Sequence, residues 1–231
     1  MKNDLKTDII AIDGPAGSGK STTAKLVARQ LGFTYLDTGA MYRALTLKAL
    51  RQRLNFHDET ALKALTKNID IQLLEKNGRL SVIVDGENVT KKIRTEQVTE
   101  HVATVASQPA VRKWMVHWQR KLGKQGKIVA EGRDIGTVVF PEARLKIFLV
   151  ASLAARAKRR ARDFSAAEGD TANLEKIAQK IKDRDQKDSQ REVSPLKKAD
   201  EAIEIDTTDL TIEQQVDLIV KQWHAIADKQ E

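Results

Sequence analysis

Residues 14–22, Gly-Pro-Ala-Gly-Ser-Gly-Lys-Ser-Thr, place a lysine and two hydroxyls at the end of a glycine-rich stretch. These residue types are suited to holding phosphate. Gly14, four intervening residues and then Gly19-Lys20-Ser21 fit the phosphate-loop spacing GxxxxGK[ST]. Glycines allow successive backbone N–H groups to curl around an anion without side-chain clash, and a following helix adds the partial positive charge of its N-terminus. Lys20 can reach the β- and γ-phosphates of a nucleotide, and the Ser21 hydroxyl suits Mg²⁺. Such a loop identifies a nucleoside triphosphate donor and leaves the acceptor open, because GTPases, motor ATPases and small-molecule kinases share it.

The flanking residues must position that loop. Ile9-Ile10-Ala11-Ile12 predicts a buried parallel strand, and Ala24, Val27, Ala28 and Leu31 recur at helical spacing before Gly32, a C-terminal cap. Phe33 to Leu36 predicts a short strand, and Met41 to Leu54 a helix. Residues 69–75 and 80–84 predict a hairpin around Asn77-Gly78, with a second turn at Asp85-Gly86. Helical sequence runs from Thr95 to Leu122 with a break at Pro109, and again from Thr211 to Ala227. Short apolar runs at Lys127–Ala130, Leu145–Val150 and Ala202–Ile205 predict further strands. Strands alternating with helices imply an α/β fold with a parallel sheet. The segment 152–191 is charged and helical, interrupted at Glu168-Gly169-Asp170.

Four groups of Arg and Asp lie near predicted strand ends or turns: Asp37 with Arg43, Arg112, Arg133-Asp134, and the stretch from Arg184-Asp185 through Asp188 to Arg191. Arginine's planar fork can make two charge-assisted hydrogen bonds to a phosphate. Taken singly, each of these groups reads more readily as a surface ion pair worth about 0–1 kcal/mol. The basic run Arg156, Lys158, Arg159, Arg160 and Arg162 fits either a solvated helix face or a polyanion contact.

The formal charge of +8 and pI near 9.6 favour polyanionic partners such as nucleotides. With 4% aromatic residues, stacking platforms for single-stranded nucleic acid are scarce, and no nucleic-acid partner is expected. The chain has no cysteine, which excludes disulfides and thiolate chemistry, and its four histidines are scattered. The polar N-terminus and the absence of a long apolar run lead to the expectation of a cytoplasmic protein with no membrane partner. At 231 residues one main domain is expected, and without a coiled-coil seam it is expected as a monomer.

Taken together, the phosphate loop, YLDTGAMYR (35–43), EGRDIGTVVFP (131–141), ARAKRR (155–160) and RDQKDSQREVSPL (184–196) resemble the bacterial cytidylate kinases, the CMP kinases of the nucleoside monophosphate kinase family. The likeness covers nearly the whole chain in order. It implies a P-loop NTPase fold: a parallel five-stranded sheet flanked by helices, with a small antiparallel β insertion and a helical lid. It further implies one domain with a core at 8–65, 93–151 and 192–231, an acceptor-side insertion at 66–92 and a lid region at 152–191.

The activity so implied is ATP- and Mg²⁺-dependent phosphorylation of CMP or dCMP, in pyrimidine nucleotide metabolism. By the same resemblance Lys20, Arg133, Asp134 and Arg184 are catalytic. Gly14, Pro15, Ala16, Gly17, Ser18, Gly19, Lys20, Ser21 and Thr22 bind ATP with Arg156 and Arg160, and Ser21 meets the metal. Asp37, Thr38, Arg43, Arg112, Arg133, Asp134, Arg184, Asp188 and Arg191 bind CMP. The chain departs from the family pattern at Ala103, where a Ser that contacts cytosine is common, and at Thr38, Glu131 and Ala155, which stand for a frequent Ser, Asp and Glu. Loss of one neutral hydrogen bond at Ala103 is worth about 0.5–1.5 kcal/mol, enough to soften base selectivity.

Overall fold

A computed structural model describes residues 8–76, 79–124, 126–168 and 173–227. The expected hairpin tip Asn77-Gly78 and the interruption at Gly169-Asp170 lie outside these residues. The chain divides into two compact units, 1–35 with 125–231, and 36–124.

The first unit is built on strands β1 (Ile9–Asp13), β6 (Ile128–Gly132), β7 (Leu145–Val150) and β8 (Ile203–Asp206), together with β2 (Thr34–Asp37), which leads the chain out of it. Sheet order is β2-β6-β1-β7-β8, with β1 parallel to β6 and β7, and β7 parallel to β8. Every residue of β1 and β6 is buried, as expected for central parallel strands covered on both faces. The register sets Asp13 opposite both Gly132 and Phe148. Consequently β1, β6 and β7 end at a similar height, and the loops after them leave from one edge, where open α/β sheets bind ligands.

Helix α1 (Lys20–Leu31) follows the phosphate loop and ends at Gly32, φ 67°. There the Phe33 N–H bonds Ala28 O at 2.8 Å, the longer bond of a Schellman cap. Phe33 was expected in the strand. It serves the cap instead, and its ring meets Trp223 of α8 (Ile212–Ala227) edge-on at 5.2 Å. Helices α6 (Leu153–Glu168) and α7 (Leu174–Gln190) occupy the segment expected as a lid. Among the described residues no helix is long and apolar enough to cross a membrane.

The second unit holds α2 (Thr38–Arg51), α3 (Glu59–Lys67), the antiparallel strands β3 (Ile71–Lys76), β4 (Arg79–Val84) and β5 (Glu87–Asn88), a 3-10 turn at Lys92–Arg94, and α4 (Glu96–Ser107) and α5 (Pro109–Gly123). Pro109 begins α5, where its missing N–H costs nothing. Helix α2 starts three residues earlier than its apolar period indicates, because the Asp37 side chain caps it by accepting from Ala40 N at 2.8 Å. It also ends earlier, and Arg53 turns to φ 54°. Helix α3 has only Leu62, Leu65 and Thr66 buried, too few positions to reveal a period. Strand β5, likewise absent from the sequence reading, is two residues long.

Candidate active site

The phosphate loop runs from the end of β1 to the start of α1. Gly14 has φ 148°, and a Cβ there would stand 2.1 Å from the backbone oxygen of Leu149 in β7. No side chain fits, so the loop passes against the neighbouring strand. Gly19 takes φ 93° at the entry to α1, a conformation that favours glycine. The loop already holds an anion from its own chain. Ala16 N donates to Asp185 Oδ1 at 3.1 Å, and the other Asp185 oxygen is bound by Arg156. Arg156 also donates to Ala16 O at 3.2 Å. Thus α6 and α7 bring an arginine and a carboxylate onto the loop expected to bind ATP.

Lys20 is 5% exposed, its Nζ donating to Pro15 O at 2.6 Å and to Ser18 Oγ at 3.3 Å. Burial, with Arg133 adding to it and Glu131 opposing, lowers its pKa to about 7. An ammonium so poorly compensated favours an added anion. Beside it, Ser21 Oγ donates to Glu131 Oε1 at 2.7 Å, and Tyr35 OH approaches the same oxygen at 3.4 Å. Glu131, next to the last residue of β6, thus sets a carboxylate against the loop hydroxyl, an oxygen pair of the kind a hard cation takes alongside phosphates. Among the described residues there is no cluster of three or more acidic or histidine side chains placed to hold a metal alone.

The structure brings together five of the residues expected around the acceptor. Arg133 Nε donates to Asp188 Oδ2 at 2.9 Å, while Arg191 lies 3.6 Å from Asp134 Oδ1 and 3.9 Å from Asp188 Oδ1. Burial works against the Arg133 charge, but Asp188 and Glu131 outweigh it and its pKa is raised. Arg184 is pushed down to about 10 by burial and by Arg133, with Asp188 opposing. Its Nε is buried without a hydrogen-bond partner among the described residues. Asp188 is also penalised by burial, yet Arg133, Arg184 and Arg191 together hold it below the ordinary carboxylate value. The result is a desolvated basic cluster, with two carboxylates able to accept from hydroxyls.

The remaining expected acceptor residues belong to the second unit. Asp37 is buried, capping α2 and standing 3.6 Å from Arg94. Thr38 is buried at the first position of α2. Arg43 donates to Thr99 Oγ1 at 2.8 Å. Arg112 is 2% exposed, lies 5.5 Å from the centre of the Tyr42 ring and donates to Ala106 O at 3.3 Å. Three further acids stand at the site with no role assigned from sequence: Asp13, Glu131 and Asp185, the last two noted only within a motif and an arginine–aspartate stretch. The available signals were an acid directly before the phosphate loop, an acid next to the last residue of a buried strand and an acid beside Arg184.

These groups fit phosphoryl transfer between two anions. The family model for cytidylate kinase matches residues 10–225 of the chain. The chain is 52% identical over 221 residues to the cytidylate kinase of Geobacillus sp. (strain WCH70), covering 96% of this chain and 97% of that protein. It is 51% identical over 214 residues to that of Bacillus pumilus (strain SAFR-032), covering 93% of each. With the cytidylate kinase of Carboxydothermus hydrogenoformans it shares 49% over 207 residues, 90% of this chain and 93% of that protein. A match of this extent shows that the chain belongs to the cytidylate kinase family.

Proposed function

We propose that this phosphotransferase moves the γ-phosphoryl group of ATP, with Mg²⁺, onto the phosphate of CMP or dCMP, giving ADP and CDP or dCDP. The observation that carries this reading is the ion-pair cluster of buried Asp134 and Asp188 with half-buried Arg133, Arg184 and Arg191, formed where the loop after β6 meets α7. Hydrolysis of ATP needs no second basic cluster with hydroxyl-accepting carboxylates. A nucleoside monophosphate acceptor needs both.

In the transfer, an oxygen of the acceptor phosphate bonds to the γ-phosphorus as the bond to the bridging β-oxygen breaks. The acceptor oxygen is already ionised near neutral pH, so no base is required. The work is positioning and charge neutralisation. In this reading residues 14–22 hold the donor phosphates, Lys20 meets the group in flight, and Arg156 and Arg160 close over ATP. Thr38, Arg43, Arg112 and Arg133 take the acceptor phosphate. Asp134 and Asp188, held by the arginines, accept from the sugar, while Arg184 and Arg191 complete the basic wall. The core at 8–65, 93–151 and 192–231 carries the chemistry, and segments 66–92 and 152–191 close to exclude water.

Ser21 Oγ and Glu131, bonded at 2.7 Å, would hold Mg²⁺, an ion that takes one or two protein oxygens. It would supply neutralising charge to the donor phosphates. Replacing Glu131 by Gln is expected to raise the Mg²⁺ concentration for half-maximal activity about ten- to hundredfold. A metal titration at fixed ATP reads this, and an unchanged midpoint removes Glu131 from the metal site.

The test of the reading is ADP release from ATP and Mg²⁺ with CMP, dCMP, UMP, AMP, GMP or no acceptor. Release is expected with CMP and dCMP, with only slow release in the absence of acceptor. Acceptor-independent release, or preference for a purine monophosphate, refutes the assignment of the acceptor.

A further inference from the structure

The first N–H groups of any helical turn lack partners within it, and the side chain of the residue just before the turn usually supplies one. Asp37 does this for α2 and Asp58 for α3. Helices α1, α4 and α5 have no side-chain cap, and the π-helical turn Ile135–Val139 after β6 is capped in a third way. Asp134 stands at its capping position with φ −144° and ψ 25°, yet its side chain makes no capping hydrogen bond. The cap comes from another element. Asp13, at the end of β1, accepts the Ile135 N–H with Oδ1 at 2.8 Å and the Gly136 N–H with Oδ2 at 2.7 Å, across 122 and 123 positions of sequence. Asp134 is thereby released to stand 3.6 Å from Arg191.

We propose that Asp13 is a positioning residue for the acceptor side of phosphoryl transfer: its carboxylate caps the 135–139 turn in place of Asp134, and so aims Arg133 and Asp134 while the strand it ends carries the donor loop. Asp13 itself touches neither nucleotide in this assignment.

The clamp is closely packed. Asp13 is 4% exposed, and a Cβ on Gly136 would meet Lys146 Cγ and Cδ at 3.3 Å and Asp13 Oδ2 at 3.5 Å. The charged groups that face it are Asp134 and Lys20, while the Lys146 stem packs on Gly136 and its Nζ bonds Glu201 at 3.0 Å. Burial raises the Asp13 pKa to about 7, against the two N–H donors and Lys20, with Asp134 adding to the rise. Since the folded value lies above the ordinary 3.8, this group's contribution to stability is full below about 3.8 and is lost as pH rises through about 7. The ionised form is the less stable one, and it is the form that can accept from both N–H groups. In the acid form one oxygen becomes a donor facing an N–H, and half the cap is lost.

The inference rests on the CMP kinase reading, and two measurements keep the two apart. The first needs no activity: the Ile135 and Gly136 amide resonances of the wild-type chain are followed by NMR as pH is varied. Both are expected to move together with a midpoint near 7, and to lose that midpoint in Asp13→Asn. Amide shifts that are the same in the wild type and in Asp13→Asn overturn the cap. The second is steady-state kinetics of wild type, Asp13→Asn and Asp13→Glu across the neutral range.

Asp13→Asn is expected to lower kcat/KM for CMP about tenfold or more through misplacement, with the KM for ATP unchanged. Asp13→Glu, which keeps the charge, recovers part of the loss. The ratio of wild type to variant cancels the titration of the acceptor phosphate itself, whose second pKa is near 6. Equal losses toward ATP and CMP, or wild-type kinetics in Asp13→Asn, overturn the proposal. If Asp13→Asn does not fold, Asp13→Glu and the wild-type amides still decide it. A wild-type chain without CMP-dependent turnover refutes the functional reading and leaves the amide titration to judge the cap.

Discussion

Lys20→Met lowers phosphoryl transfer about a thousandfold, the order lost when one aimed cationic or hydrogen-bond donor is removed from a dry site, and it leaves a nucleotide-free chain that resists heat better than the wild type. Both effects have one cause. The ammonium is 5% exposed, and its partners are two neutral oxygens, Pro15 O and Ser18 Oγ. Methionine has a similar volume and no charge. Removing the charge abolishes a burial cost of several kcal/mol, whereas the lost hydrogen bonds are worth about 0.5–1.5 kcal/mol each.

The pH dependence has a definite sign. Between about 7 and 10.5 the unfolded chain holds the Lys20 proton and the folded chain releases it, so this group makes the wild type gain stability as pH rises through that window. The advantage of Met is therefore largest below about pH 7 and fades toward 10.5. Calorimetric Tm across this range and ADP release at saturating substrates check the two halves. Activity within tenfold of wild type rejects the role of Lys20, and a lower Tm near neutrality rejects the burial account. ATP, which supplies the missing anion, is expected to raise the Tm of the wild type more than that of the variant.

Asp188→Ala has the opposite effect on stability. Asp188 is 6% exposed, bonded to Arg133 at 2.9 Å, close to Arg191 and within the field of Arg184. Its removal leaves three half-buried guanidinium groups without that carboxylate, a loss near the lower end of the cost of breaking a buried pair, about 3 kcal/mol. For a chain of this size that corresponds to a fall in Tm of about 10 °C. Asp188→Asn retains an acceptor for Arg133 and falls between the two. Because the native pKa of Asp188 lies below the ordinary value, its stabilisation is present above about pH 4 and is lost in acid. The gap between wild type and Asp188→Ala should therefore narrow as pH falls. Urea unfolding at several pH values measures this, while the KM for CMP is expected to rise and that for ATP to hold. Wild-type stability in Asp188→Ala means that the arginines are solvated rather than held by this carboxylate.

Much of the architecture was visible locally. The loop 14–22 with the strand before it and the helix after it, the hairpin strands 71–76 and 79–84, the break between α4 and α5 at Pro109, and the parallel strands β6, β7 and β8 all follow from turn chemistry and apolar period. The resemblance read from the motif order likewise agrees with the family match over residues 10–225. Such signals depend on residues within a few positions of one another.

Other features are not local. Helix α2 begins at Thr38 because a side chain caps it, and apolar periodicity does not register caps. The Ser21–Glu131 pair joins residues 110 positions apart, the Ala16–Asp185 bond spans 169, and the Asp13 cap spans 122. Which acids meet across those distances is decided by the strand order β2-β6-β1-β7-β8 and by the register that sets Asp13 opposite Gly132. By itself the sequence determined the phosphate-loop pattern, most of the element types and the inventory of arginines and aspartates. Only the tertiary structure decided which of those charges are desolvated together, and hence which are paired, because desolvation is a property of everything packed around a group rather than of its neighbours in the chain.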